Sequence, residues 1–235
     1  MSQIYYITQS DIEDQNILFN FVYENMDVNY YYSDNFDLDF YIKLARAGFI
    51  SVSHTEDDTQ FLLPEMQFEY AVLDFENLHI SKKVQKLLKN AHLFTFSINE
   101  NLEGVLEGIR KYHKGNWVEK EYLEMLKMLK NYKTENLNFQ LISCELKCTE
   151  TDRLIAGEIG YKIGSTYTSL SGFTTNEKRY NNYGKLQITL LAQYLESNNY
   201  SFWNMGHPYM QYKKDLGAKI LTRKQFLQRW LVSID

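Results

Sequence analysis

Residues 154–173 read LIAGEIGYKIGSTYTSLSGF, and this stretch decides the fold. Two runs rich in β-branched and aromatic residues, 154–163 and 165–173, meet at Gly164. Runs of this length and composition are typical of strands, and a glycine between them suits a tight turn. The stretch therefore predicts a β-hairpin, from which the rest of the fold can be built outward.

Segments on both sides of the hairpin extend it to a mainly antiparallel sheet covered by helices. Residues 139–146 are expected to form a third strand, and residues 202–205 a short fourth strand. Apolar residues of 185–196 fall on one broad helical face. Residues 99–112 and 118–132 are also predicted helices. Strands interleaved with helices in this order indicate an α+β fold.

The N-terminal part is expected to form a smaller unit that ends before about residue 75. Residues 37–47 carry apolar side chains at helical spacing and stop at Gly48, which suits a glycine in the left-handed conformation. The acidic stretch 54–60 is interpreted as a loop. Residues 71–80 are interpreted as a strand entering a helix that Ser81 caps.

Composition excludes several classes of protein. A net charge of −5 argues against a protein that coats nucleic acid, because phosphate neutralisation supplies most of that affinity. The longest apolar runs are far shorter than the roughly 20 residues of a membrane span, and the first residues do not resemble an export signal. We therefore expect a cytoplasmic protein. Cys144 and Cys148 have no second pair with which to complete a metal site, so reduced thiols and no metal are expected.

Basic clusters and aromatic residues leave local nucleic-acid contacts open. The basic residues fall into Lys82, Lys83, Lys86 and Lys89; Arg110, Lys111, His113 and Lys114; and Lys213, Lys214, Lys219, Arg223 and Lys224. Each cluster is either a contact surface or a solvated helix face. The 19 tyrosines and 14 phenylalanines could stack on bases or line an apolar pocket, but most are expected in the core.

Several motifs together resemble one enzyme family. In chain order they are 46–50 (RAGFI), 77–82 (NLHISK), 115–117 (GNW), 154–160 (LIAGEIG) with Gly164, and 216–218 (LGA) with Arg223 and Phe226. The last four of these motifs are similar to the strand–helix entry, the Gly-Thr-Trp turn, the glycine-rich hairpin and the C-terminal motif of the leucyl/phenylalanyl-tRNA–protein transferases, whereas 46–50 is the one matching stretch in the first 60 residues. The resemblance covers about residues 69–230.

The resemblance implies a fold and an activity. The fold would be an N-acetyltransferase-like sheet (the acyl-CoA N-acyltransferase superfold) flanked by helices in residues 75–235, beside a small N-terminal domain in residues 1–74. Family members carry Leu or Phe from charged tRNA to an N-terminal Lys or Arg of a protein, a reaction of the N-degron pathway of protein degradation. The implied partners are the 3′ end of aminoacyl-tRNA and an acceptor N-terminus. No cofactor, no membrane and a monomer are expected.

Three positions depart from the family pattern. An ungapped alignment places Leu170 where the family has a pocket Glu, Asn204 where it has an Asp, and Gly206 where it has a Gln. Asn204 can still donate and accept hydrogen bonds but cannot act as a carboxylate. Asn204 and His207 are therefore the catalytic candidates, since a histidine at a strand end suits proton transfer near neutral pH. Which amino acid is transferred stays open.

The substrate-binding candidates follow from the same alignment. They are Trp117, Glu158, Tyr167, Leu170, Phe173, Trp203 and Gly206. Trp117 matches a family Trp near the 3′ adenosine of tRNA and is either a stacking platform or a core residue. We expect Trp117, Tyr167, Leu170, Phe173 and Trp203 to lie close together, with some of them lining an apolar cleft.

Glu158 has two interpretations. It aligns with an apolar residue of the family's amino-acid pocket, where a buried carboxylate would suit a basic or polar aminoacyl group. In a regular hairpin, however, it pairs with Ser171, while Ile159 pairs with Leu170. Glu158 and Leu170 would then face opposite sides unless a bulge intervenes. In the second interpretation Glu158 is an exposed strand residue near Lys162.

Two other functions remain as alternatives. A non-catalytic binder of tRNA ends or protein N-termini would fit the loss of the family's Glu and Gln. A coenzyme A-dependent N-acetyltransferase would bind pyrophosphate at residues 179–184 (RYNNYG), although Asn182 stands where a first glycine is expected.

Overall fold

The computed structural model describes residues 4–113, 117–118, 120–133 and 138–234. Its N-terminal part combines short helices with two small strand pairs. The elements are β1 (Tyr5–Tyr6), α1 (Gln9–Glu13), α2 (Gln15–Ile17), β2 (Tyr31–Tyr32), α3 (Leu38–Arg46), β3 (Ile50–Glu56) and β4 (Thr59–Glu65). β1 and β2 pair in parallel, and β3 and β4 form an antiparallel hairpin.

The rest of the chain alternates strands with helices. In order, these are β5 (Glu69–Leu73), α4 (Lys82–Leu88), β6 (Phe94–Ile98), α5 (Leu102–Tyr112), α6 (Lys120–Leu129), β7 (Phe139–Cys148), β8 (Leu154–Ile163), β9 (Thr166–Thr174), α7 (Tyr183–Ser197), β10 (Phe202–Asn204), α8 (Gln211–Leu216), β11 (Lys219–Thr222) and α9 (Arg223–Ser233). None of these described helices is long and apolar enough to cross a membrane.

Across the described ranges, seven strands form one mixed sheet in the order β11-β5-β10-β9-β8-β7-β6. Only β9 and β10 pair in parallel, and the other neighbours are antiparallel. The α+β class, the mainly antiparallel sheet and the strands expected around residues 139–173 and 202–205 are confirmed. The hairpin turns at Gly164 as predicted, with Ile163 opposite Thr166.

The interpretation of residues 54–60 as a loop is wrong for most of that stretch. His54, Thr55 and Glu56 end β3, and β4 begins at Thr59. The turn is confined to Asp57 and Asp58, which have φ values of 46° and 62°. Aspartate tolerates this left-handed conformation, so acidic residues here mark a tight turn inside a hairpin.

The sheet buries apolar side chains on both faces, because successive residues of a strand point to opposite sides. On β5, Tyr70 and Val72 join the core packed by α3, α5, α6 and α9, whereas Ala71 and Leu73 join the core packed by α7 and α8. We call these the α5 face and the α7 face.

Arg223 joins the N-terminal part to the sheet. Its guanidinium is buried at the start of α9 and donates to backbone carbonyls of Val22, Tyr23, Asn25, Val28, Met66 and Gln67.

β5 precedes the proposed domain boundary at 74/75, yet it lies inside the sheet. The boundary itself stays a prediction.

Candidate functional site

The turn after β10 carries both catalytic candidates. Asn204 ends the strand and is only 1% exposed. Its Oδ1 accepts a hydrogen bond from the Gly206 N–H at 3.0 Å, and its Nδ2 donates to Thr168 Oγ1 at 3.4 Å, which is long for a hydrogen bond. Gly206 has a φ of 71°, which a glycine adopts without strain. Asn204 therefore holds the turn together from the inside.

Most backbone groups of this turn already have partners. The Met205 N–H donates to Ala71 O, and the Ala71 N–H donates to Gly206 O, each at 2.8 Å. The Gly206 N–H is bound to Asn204. The backbone N–H of His207 is the remaining donor of the turn, and it makes no hydrogen bond to a described residue. The donors left for a developing oxyanion are the His207 N–H and the weakly engaged Asn204 Nδ2.

Lys213 on α8 holds the outer side of the same turn. Its Nζ donates to Met205 O at 2.5 Å and to His207 O at 2.7 Å. Burial lowers the pKa of Lys213 to about 8, and the charge of Glu158 opposes that shift. A lysine expected in a surface cluster is thus buried and fixes the turn.

His207 makes a contact that crosses from the sheet to the N-terminal part. Its Nε2 lies 2.9 Å from Oε2 of Glu65, the last residue of β4. The Glu65 side chain is 5% exposed and that of His207 is 41% exposed. The pair therefore has a buried acidic end and an imidazole that solvent can reach.

Other polar side chains hold the Glu65 carboxylate. Asn29 Nδ2 donates to Oε1 at 2.8 Å, and Gln67 Nε2 donates to Oε2 at 3.3 Å. The buried Gln67 Oε1 has no partner among the described residues. Burial and, second, the charge of Glu65 raise the pKa of Tyr30 to about 12, so Tyr30 stays neutral at physiological pH.

Glu158 is buried, so its interpretation as an exposed strand residue is wrong. It is 6% exposed, and its Oε1 accepts from Ser169 Oγ at 2.6 Å and from Tyr167 Oη at 3.3 Å. Trp203 Nε1 donates to the same Ser169 Oγ at 2.7 Å. Burial raises the pKa of Glu158 to about 7, although hydrogen bonds from Ser169 and Tyr167 act in the opposite direction.

A bulge at Leu170 changes the register expected for the hairpin. Gly160 is opposite Ser169, but Ile159 is opposite Ser171, which leaves Leu170 without a partner residue. Glu158 consequently pairs with Gly172 and not with Ser171. The register expected from a regular ladder is wrong beyond this point, because one extra residue is inserted in β9.

The predicted pocket residues are divided between the two faces of the sheet. Tyr167 and Trp203 lie in the core of the α7 face, with ring centroids 5.9 Å apart. Leu170 and Phe173 pack against the core of the α5 face. Asn204 follows Trp203 directly on β10, so their side chains point to opposite faces. The structure therefore brings together Glu158, Tyr167 and Trp203 as one group, separate from Leu170 and Phe173.

Trp117 lies against the N-terminal hairpin. Its carbonyl accepts a hydrogen bond from Ser53 Oγ, and its ring is 5.5 Å from that of Tyr122. It packs against the core of the α5 face, as Leu170 and Phe173 do. Gly115 and Asn116 of the predicted turn, together with Lys114, lie outside the described residues.

The basic clusters differ in their exposure to solvent. Lys82, Lys83, Lys86 and Lys89 are exposed along or just after α4. In the third cluster, Lys213 and Arg223 are buried and bond internally. The α4 lysines are thus available to an anionic partner, whereas Lys213 and Arg223 stabilise the fold.

A cleft of about 710 Å³ opens at the start of α7, where the coenzyme A alternative would place its pyrophosphate. Asn182 precedes the helix with a φ of 69° and makes no side-chain cap. Arg179, however, donates to Glu177 at 3.0 Å. Its charge is therefore already paired with a carboxylate.

Sequence reasoning missed Glu65, Gln67 and Ser169. Glu65 and His207 are far apart in the chain, and no local spacing pattern joins them. Ser169 lies opposite Gly160 and not opposite Glu158, so the pairing of the hairpin did not indicate its hydrogen bond to Glu158. In the described part of the chain, no His, Cys, Asp and Glu side chains group as a metal site would require.

Comparisons with known proteins give the following matches. A family model described as leucyl/phenylalanyl-tRNA protein transferase matches residues 72–230, which is more than half of the chain. No curated protein sequence matches.

Several solved structures are similar at low identity. FemX is 12% identical with a TM-score of 0.49, over 94% of this chain and 79% of that one. L-PGS from Bacillus licheniformis is 13% identical with a TM-score of 0.46, over 94% and 70%. The C-terminal domain of a putative lysylphosphatidylglycerol synthetase from Agrobacterium fabrum is 11% identical with a TM-score of 0.45, over 77% and 62%.

Proposed function

Since this chain belongs to the leucyl/phenylalanyl-tRNA–protein transferase family, we propose that it transfers an amino acid from charged tRNA to the N-terminus of an acceptor protein or peptide. The proposal includes the 3′ end of aminoacyl-tRNA as donor and action as a monomer in the cytoplasm, in the N-degron pathway. It also includes an N-acetyltransferase-like domain in residues 75–235 beside a small domain in residues 1–74.

The reaction is the aminolysis of an ester. A neutral amine attacks the ester carbon, negative charge develops on the carbonyl oxygen, and the ribose hydroxyl leaves. Positioned donors and orientation can supply much of the rate of such a reaction, without a strong nucleophile.

The turn Asn204–His207 is the observation that supports the proposal most. It lies at the end of a central strand, is held by Asn204 and Lys213, and leaves the His207 N–H free of described acceptors. A fixed N–H next to a side-chain amide is suited to stabilise an oxyanion. We place the ester carbonyl at this turn, with Asn204 and His207 as the catalytic residues.

The proposed substrate-binding residues are divided between the α5 face and the α7 face of the sheet. Trp117, Leu170 and Phe173 belong to the α5 face and are placed near the aminoacyl-adenosine end. Gly206 is placed with the ester in the turn, where an added Cβ would contact Ile50 Cδ1 at 3.4 Å and Gln67 Nε2 at 3.8 Å.

Glu158, Tyr167 and Trp203 belong to the α7 face, behind the strand that carries Asn204. In the proposal they support that strand. The proposal also gives this group a contact with the transferred amino acid, where the carboxylate of Glu158 favours a basic or polar side chain.

A transfer assay tests the function. Purified protein would be incubated with tRNA charged with each amino acid in turn and with peptides that begin with Lys, Arg or Gly. Mass spectrometry should find an amino acid added to the N-terminus of at least one peptide. The Gly-initiated peptide is the control for acceptor choice.

A non-catalytic binder is the second candidate, and a specific observation favours it. Leu170 and Gly206 stand where the family has its Glu and Gln, so no carboxylate of the family pattern remains in these positions. Binding of charged tRNA without transfer to any peptide would establish this function instead. A rise in melting temperature with coenzyme A would point to the N-acetyltransferase alternative.

A further inference from the structure

We propose that Glu65 and His207 form a proton-accepting dyad for the incoming amine, with His207 as the catalytic residue and Glu65 as its positioning residue. The inference deepens the proposed function and rests on it. The first observation is the 2.9 Å contact between Glu65 Oε2 and His207 Nε2, which joins the end of β4 to the turn after β10.

The surroundings of Glu65 decide which nitrogen of His207 carries the proton. The side-chain amides of Asn29 and Gln67 donate to Glu65, so both of its oxygens act as acceptors. An ionised carboxylate can only accept, so Nε2 of a neutral His207 must carry the hydrogen. Nδ1 then has the lone pair and makes no hydrogen bond to a described residue. A histidine oriented by a buried carboxylate is a common arrangement for a general base.

The position of the pair relative to the turn is the second observation. His207 contributes both the unoccupied backbone N–H and the imidazole, and Lys213 fixes its carbonyl at 2.7 Å. The donor for the oxyanion and the acceptor for the proton thus belong to one restrained residue. The ring of Tyr209 stacks on the imidazole, with centroids 5.7 Å apart and an interplanar angle of 25°.

The proposed step balances in atoms and charge. The amine nitrogen forms a bond to the ester carbon, and Nδ1 of His207 takes a proton from that nitrogen. The resulting imidazolium is paired with Glu65. When the C–O bond breaks, the same proton passes to the ribose oxygen, and His207 returns to its neutral form. No other reactant is required.

Single-turnover transfer as a function of pH tests the dyad. His207→Gln should lower transfer about 10-fold at pH 7. When rates are expressed per neutral amine, which removes the titration of the acceptor's own α-amine at about pH 8, the wild type should keep an acidic limb and His207→Gln should lose it. Glu65→Gln should lower the rate of transfer several-fold and leave the peptide concentration for half-maximal transfer unchanged, because the imidazolium formed during the step loses its anionic partner. The ionisable groups near His207 are Glu65 and Tyr209, which contact its ring, Lys213, which bonds its carbonyl, and Tyr30, which lies beside Glu65.

Matched controls separate this role from a structural one. His54→Gln alters an exposed histidine on β3 and should leave the profile unchanged. His207→Gly should recover activity when imidazole is added to the buffer. If Glu65→Gln does not fold, imidazole rescue and a titration of the His207 ring by NMR still decide the point.

The outcomes distinguish the two proposals. A wild-type protein that transfers nothing from any charged tRNA overturns the proposed function, and the dyad with it. A wild-type protein that transfers, together with a His207→Gln profile that keeps its acidic limb when rates are expressed per neutral amine, overturns the dyad alone. Absence of rescue by imidazole in an otherwise folded His207→Gly variant would also overturn it.

Discussion

Asn204 combines a structural role with a proposed chemical role. Its Oδ1 closes the turn through Gly206, and its Nδ2 has only a long contact with Thr168. The hydrogen bond from Gly206 to Oδ1 fixes the position of Nδ2. A side-chain amide held in this way can stabilise negative charge although it cannot act as a base.

Asn204→Ala should therefore lower transfer roughly 100-fold or more, the scale associated with loss of one oxyanion donor. His207→Ala should cost less, because the proton of the amine can also pass to solvent. Single-turnover transfer from charged tRNA to a peptide with a basic N-terminal residue measures both. Asn176→Ala, at an exposed position, is the control. Loss of transfer in His207→Ala with full transfer in Asn204→Ala would reverse this order.

Glu158 is the other residue whose environment has a measurable consequence. Burial raises its pKa to about 7, from the ordinary value of 4.5. The folded state therefore binds the proton more tightly than the unfolded state does. The associated stability is fully present below pH about 4.5 and is lost as the pH rises through about 7.

Between these pH values the wild-type protein should lose stability on the order of 3 kcal/mol, and Glu158→Gln should not. Lys213 remains charged in both states over this range, since its lowered pKa is about 8. Thermal unfolding at several pH values measures the difference in slope. Glu196→Gln removes an exposed carboxylate on α7 and should follow the wild type. Parallel curves for the wild type and Glu158→Gln would contradict the prediction.

At the scale of elements, the hairpin β8–β9 joins the two groups of candidate residues. Its bulge at Leu170 changes the side that the following residues of β9 face, so Gly172 and not Ser171 lies opposite Glu158. Gly160 makes room on the side of Glu158. A Cβ added there would lie 2.4 Å from Tyr167 Oη and 2.3 Å from Thr168 O.

Gly160→Ala should destabilise the protein by about 1–3 kcal/mol, because backbone and a fixed tyrosine must move to admit a methyl group. The free energy of unfolding in urea measures this. Gly184→Ala, on α7, is the matched control, since an added Cβ there first meets Thr174 atoms at 3.2 Å. Equal losses in the two variants would show that the close approach at Gly160 has no special cost.

At the scale of the whole molecule, the N-terminal part and the sheet meet at the candidate site. Glu65 comes from β4 and His207 from the turn after β10. Arg223 makes a second connection, because its guanidinium satisfies carbonyls both of residues 22–28 and of residues 66–67. Positioning of the dyad therefore depends on how the two parts of the chain pack.

Arg223→Met should destabilise the protein by about 3–5 kcal/mol, since several buried carbonyls lose their donor together. Chemical denaturation measures the loss, and limited proteolysis should show earlier cleavage within residues 22–28. Lys224→Met replaces the exposed neighbour on α9 and should change little. A stability within about 0.5 kcal/mol of the wild type would contradict a structural role for Arg223.

Local sequence patterns predicted the hairpin β8–β9, β7, β10 and the helices α5, α6 and α7, but not the strands β6 and β11. Two runs rich in β-branched and aromatic residues that meet at Gly164 predicted the hairpin. The motifs around this hairpin also indicated the family. Such features depend on neighbours in the chain, which a single sequence displays directly.

The site depended on contacts between distant residues, which no local pattern contains. Glu158 is buried because α7 and α8 cover its face of the sheet, and this cover exists only in the packed structure. His207 could be chosen as a candidate from its place at a strand end, but its partner Glu65 could not. The sequence determined which elements form and in which order. Tertiary packing decided which polar groups are desolvated together, because burial and pairing arise only when both parts of the chain close on the sheet.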